Sequence, residues 1–125
     1  MTKTSVLIIG MDPKYVDPVE IPGFTPEIVD AYIRQQIGRV GEMGFEVVEC
    51  LMSPDDAGEN MVEAALAAKD FDCVLIGAGL REPAPLLLVF EKVLNAVHAH
   101  APHAKICFNT SPADTAEAVQ RWVAP

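Results

Sequence analysis

Basic residues are scarce in this chain. Nine lysines and arginines face 18 aspartates and glutamates, leaving a net charge of −9 over 125 residues. Nucleic acid and anionic membrane surfaces both need a basic footprint, so neither is an expected partner. No run of eighteen apolar residues occurs, which excludes a membrane-spanning helix of ordinary length. The opening apolar stretch, Val6-Leu7-Ile8-Ile9, is too short for the core of a secretion signal, and no small-residue cleavage site follows it. Cysteine is limited to Cys50, Cys73 and Cys107, an odd set with no paired spacing. A disulfide framework is therefore not expected, and a reduced, cytoplasmic protein is.

Familiar cofactor motifs are missing as well. A dinucleotide fold needs GxGxxG after its first strand, but Gly10-Met11-Asp12-Pro13 sets a proline in that turn. There is no GxxxxGK[ST] phosphate loop, no Ser/Thr/Gly-rich loop after the first strand to hold an FMN phosphate, and no G-x-S-x-G nucleophile elbow. Gly77 stands where a receiver domain would carry its phosphoacceptor aspartate. No NAD, FMN or ATP site is expected.

What is present is an alternation of two periodicities, in a length that suits one domain (residues 1–125). Short apolar runs at Ser5–Ile9, Phe45–Leu51, Phe71–Ile76 and Lys105–Asn109 read as strands. Helical spacing follows each of them. Residues 26–43 carry Val29, Ile33, Ile37 and Val40 on one stripe, with Thr25 as N-cap, Pro26 at the first helical position and Gly44 as the stop. Asn60-x-x-Glu63 resembles a capping box for an Ala-rich helix through Lys69. A third helix spans residues 85–99, and a fourth is capped at Ser111 and runs to Val123. This β-α-β-α-β-α-β-α order predicts an α/β fold, a three-layer α/β/α sandwich around a four-stranded parallel sheet. The first and third strands are unbroken apolar runs, as strands covered on both faces require. The second holds Glu46 and Glu49 and the fourth begins at Lys105, which marks them as edges. The expected strand order is 2-1-3-4, flavodoxin-like. The alternative, 3-2-1-4, would centre the second strand and bury Glu49.

In such sheets ligands bind at the carboxyl ends of the strands where the order reverses, here between strands one and three. A connection of about fifteen residues leaves the first strand, where such loops usually take two to six. It is stiffened by Pro13, Pro18, Pro22 and Gly23, and it offers Tyr15 and Phe24 as apolar cover. It reads either as a lid or as an ordered surface excursion. Gly77-Ala78-Gly79-Leu80-Arg81 leaves the third strand. Gly77 and Gly79 permit close backbone approach, and Arg81 offers a fork of donors suited to a carboxylate or phosphate. The competing reading is a tight turn with Arg81 paired to Glu82 or Asp12. Asp12 is the candidate acid or base, or else closes its own turn. Asn109 and Thr110 complete the polar set after strand four. The expected ligand is a small anionic metabolite.

Two further features compete for a role. His98, His100 and His103 cluster near one helix end, but at the amino-terminal edge of the sheet, so a helix-dipole role is favoured over metal binding. The helix at residues 85–99 is apolar around much of its circumference, which predicts a homodimer through Leu87, Phe90 and Leu94 unless neighbouring segments cover it. In that assembly reading the strand-end loops carry no ligand. Phe90 through His98, Lys105-Ile106-Cys107-Phe108-Asn109-Thr110 and Gly77-Ala78-Gly79-Leu80-Arg81 together resemble a group of short bacterial proteins of unassigned function. That resemblance implies a shared flavodoxin-like or Rossmann-like α/β fold and no mechanism.

Overall fold

A computed structural model describes residues 2–17 and 22–125. Four parallel strands form one sheet: β1 (Ser5–Met11), β2 (Glu46–Met52), β3 (Cys73–Ile76) and β4 (Lys105–Phe108). Their order is β2-β1-β3-β4, so the carboxyl ends of β1 and β3 are neighbours. Ile9 pairs with Cys50 on one side and with Ile76 on the other. The edge strands are the ones that carry charge. Glu49 on β2 accepts from Arg34 at 3.0 Å, and Glu46 pairs with Lys69.

Among the described residues there are five α-helices: α1 (Pro26–Glu42), α2 (Asp56–Ala68), α3 (Ala78–Arg81), α4 (Leu87–His100) and α5 (Thr115–Gln120). Alternation along the central strands divides the core in two. Val6, Ile8, Cys73 and Leu75 pack with Val40 of α1 and with Ala116 and Val119 of α5. Leu7, Ile9, Val74 and Ile76 pack with Val62 and Leu66 of α2 and with Val93 and Val97 of α4. Both faces of the sheet are thus covered, which accounts for the unbroken apolar runs of β1 and β3.

Helix boundaries follow local chemistry, with corrections to the sequence reading. Thr25 caps α1 by accepting from Ile28 N at 3.2 Å, and Gly44 ends it with φ +102°, a conformation that suits glycine. The cap of α2 is Asp55, which accepts from Gly58 N at 3.0 Å, so the helix begins before the Asn60-x-x-Glu63 box and absorbs it. Gly58 has no substitute there: a Cβ would lie 1.7 Å from the Ser53 carbonyl oxygen. The short helix α3 was not anticipated. It is a single turn formed directly after Gly77. The last helix starts at Thr115, after Ser111 and Asp114 have built a turn between them.

The apolar helix at residues 85–99 is largely used within the chain. Phe90 and Leu94 pack onto the cluster under α4, and the Phe90 ring lies 6.0 Å from that of Phe108. Leu87 and Leu88 remain 58% and 63% exposed. His98, His100 and His103 are exposed at the far end of α4. Among the described residues no group of three or more His, Cys, Asp or Glu is placed to hold a metal ion, and no helix is long and apolar enough to cross a membrane. Leu75→Ala, in the fully enclosed layer, is expected to lower stability by about 2–5 kcal/mol in urea denaturation, through lost burial and the cavity left behind. Leu88→Ala is expected to stay within roughly 0.5 kcal/mol of the parent.

Candidate functional site

The carboxyl ends of β1 and β3 open onto a crevice of about 130 Å³. It lies on the α1/α5 side of the sheet. Val29, Ile33 and Ile37 of α1 form one wall, and Ile8 and Leu75 contribute from the strands. Phe24, whose ring is 6.2 Å from that of Tyr32, closes a further side together with Val16. The walls are almost entirely carbon. The polar members are few: Gln36, Asn109 and Thr115, all buried, with Thr110 and Ser111 beside them. Glu82 is the charged residue of the lining; among the described residues no lysine or arginine joins it.

Gly77 and Gly79 line this crevice, but their surroundings do not form an anion cradle. Gly77 N donates to Ile9 O at 2.9 Å and Ala78 N donates to Asn109 Oδ1 at 2.7 Å. The first N–H groups after β3 are therefore engaged in holding β1, β3 and β4 together. Gly77 passes close to β1, where a Cβ would make a close but tolerable contact of 3.4 Å with Ile9 O.

Arg81 turns away from the crevice. Its Nη2 donates to the backbone carbonyl of Asn109 and pairs with Glu82 at 3.2 Å, its Nη1 reaches Ile76 O at 3.5 Å, and its guanidinium carbon lies 5.2 Å over the Phe108 ring. It ties the exits of β3 and β4 together and does not face a ligand space. Asp12 likewise closes its own turn: its Oδ1 accepts from Lys14 N at 3.1 Å, and it caps the 3-10 turn Pro13–Tyr15. Neither Asp12 nor Tyr15 lines the crevice. Tyr15 is exposed, with Lys14 Nζ 5.2 Å from its ring. Of the long connection, Val16 and Phe24 make the wall; Pro18 lies outside the described residues.

Asn109 and Thr110 hold the crevice in shape. Asn109 Nδ2 donates to Thr115 Oγ1 at 3.0 Å. Thr110 donates through N and Oγ1 to Asp114 at 2.9 and 2.6 Å, and Ser111 N donates to the same carboxylate at 3.2 Å. Burial would raise the Asp114 carboxyl, yet these hydrogen bonds and the Arg121 charge hold it below the usual carboxylate range. The cysteines take no part. Burial pushes the Cys50 thiol up, and Cys107, its sulfur 3.6 Å from that of Cys73, is pushed up by that neighbour and by burial.

The residue that sequence reasoning missed is Gln36. It interrupts the stripe Val29, Ile33, Ile37, Val40 with an amide, and that interruption was a visible signal. Its Oε1 accepts from Ala116 N at 3.0 Å, capping α5 from 80 positions away, and from Arg39 Nη1 at 3.3 Å. Thr115, the first residue of α5, was also passed over. No protein family and no curated protein matches this chain.

Two outcomes follow from these partners. Arg81→Ala is expected to cost about 1–3 kcal/mol in denaturant unfolding, because it strips charge-assisted hydrogen bonds from strand-end carbonyls. An Arg81 facing solvent would leave stability unchanged. Because the Asp114 pKa is depressed on folding, its contribution is present above the unfolded value and lost as pH falls below about 4. Asp114→Asn is expected to make the acid limb of a stability–pH curve shallower.

Proposed function

We propose that this chain is a binding protein for a small, predominantly apolar molecule, held in the crevice at the carboxyl ends of β1 and β3. The proposed frame is a three-layer, flavodoxin-like sandwich, in which the point between those strands is where ligands gather. One observation carries the reading: the strand-end crevice is walled mainly by carbon, and among the described residues no lysine or arginine lines it. Pockets for small molecules are mostly apolar with a few placed polar groups, and this one matches that composition. The anion expected from the sequence finds no partner here, since Arg81 is engaged with Asn109 and Glu82. Binding without catalysis is the simpler proposal, because Asp12 is occupied by its own turn.

Volume sets the scale of the ligand. A dry cavity of about 150 Å³ accommodates benzene. At about 130 Å³ the crevice suits one small ring or a short branched chain. Toluene at ten times its Kd is expected to stabilise the protein by about 1.4 kcal/mol, seen as a rise in Tm. Val29→Phe, which fills the space from the α1 wall, is expected to abolish that rise. A larger rise with benzoate or inorganic phosphate than with toluene would overturn the apolar reading in favour of an anion.

Assembly is the second reading, favoured by Leu87 and Leu88 standing exposed side by side at the start of α4. A homodimer through this end of the helix would engage Leu87, with Phe90 and Leu94 contributing from beneath. Leu87→Asp is then expected to halve the mass measured by light scattering; a parent that is already monomeric refutes the dimer.

A further inference from the structure

Gln36 sits where the α1 stripe calls for carbon, and it is only 3% exposed. A buried amide in an apolar wall is costly unless its donors and acceptor are matched. Its orientation is determined by its neighbours. The Ala116 N–H and the Arg39 guanidinium are both donors, so the atom facing them is the oxygen. The NH2 group therefore points the other way. Among the described residues nothing accepts from Gln36 Nε2, yet no fully enclosed side-chain nitrogen or oxygen lacks a partner. The amide nitrogen must accordingly reach accessible space, and the space that Gln36 borders is the crevice.

Thr115, the residue before Ala116, repeats the pattern. It is 5% exposed and lines the same crevice. Its Oγ1 accepts from Asn109 Nδ2, so its own proton is left to donate, and no acceptor among the described residues takes it. Asn109 Oδ1 is already engaged by Ala78 N, which fixes which end of that amide meets Thr115. Two buried side chains thus present hydrogen-bond donors, without a matching acceptor among the described residues, to a cavity lined mainly by hydrocarbon.

We propose that the crevice selects a compact, uncharged carbonyl compound, a cyclic ketone or lactone in size, whose oxygen accepts from Gln36 Nε2 and the Thr115 hydroxyl. This rests on the crevice being a ligand site and adds what the ligand must carry. The apolar walls enclose the ring. The two donors fix which end enters first, and among the described residues no lysine or arginine in the lining offers a carboxylate a counter-charge. A hydrocarbon of the same shape would leave both donors unmatched, and that difference is the source of selectivity.

The test uses the 15N-labelled full chain titrated with cyclohexanone and, separately, with methylenecyclohexane, which replaces the carbonyl oxygen by a CH2 group. Cyclohexanone is expected to move the side-chain NH2 resonances of Gln36 and to bind about tenfold more tightly than the hydrocarbon. Thr115→Val is expected to erase much of that preference, whereas Thr115→Ser retains it. Should Thr115→Val fail to fold, Gln36→Glu serves instead: it keeps an acceptor for Ala116 and Arg39 while removing the donor, and the preference should again fall. Equal binding of the two compounds, with Val29 and Ile33 shifting but the Gln36 NH2 still, overturns carbonyl selection and leaves an apolar site. If neither compound moves Val29 or Ile33, the crevice is not a ligand site and both readings fall.

Discussion

The side-chain amide of Asn109 lies buried at the carboxyl end of β4, accepting from Ala78 N through Oδ1 and donating to Thr115 Oγ1 through Nδ2. Its backbone carbonyl meanwhile accepts from Arg81. One residue thereby joins the first turn after β3, the start of α5 and the guanidinium that packs over Phe108. The two bonds of the side-chain amide are buried, so each would be expensive to leave unmade, and the bond from Arg81 is partly buried. The crevice takes its shape from this clamp. α3 is held against the end of β3, and α5 is held against α1, where Gln36 supplies the acceptor that its first turn would otherwise lack.

The clamp also accounts for the chemistry of the crevice. A glycine-flanked turn followed by an arginine has the composition of an anion receptor, and in isolation it would expose several N–H groups. Here the N–H groups of Gly77 and Ala78 are turned onto Ile9 and Asn109, and Arg81 is drawn across to the β4 exit. Positive charge is used to join two strand ends. What remains facing the space between β1 and α1 is the hydrocarbon of the α1 stripe, with the amide and the hydroxyl set into it.

The fold was legible because it depends on averages over many residues. Apolar runs without charge placed β1 and β3 in the centre, and Glu46, Glu49 and Lys105 placed β2 and β4 at the edges. The observed order agrees. Caps that act within a few residues, such as Thr25 and Gly44, were equally readable. Caps with longer or competing options were not: Asp55 displaced the Asn60 box, and α5 is capped by a residue from another helix.

The sequence by itself determined the alternation of elements and the central and edge strands. Those follow from periodicity and from the cost of burying charge, which are local or additive properties of the chain. Only the tertiary structure decided which donors face the crevice and which are engaged elsewhere. Arg81 and Gln36 each had several partners within reach of their composition, and the choice among them was made by contacts 28 and 80 positions away, whereas Asp12 closes a local turn that its sequence already offered. A hydrogen-bonding group is defined by what it meets, and that is a property of packing rather than of spacing.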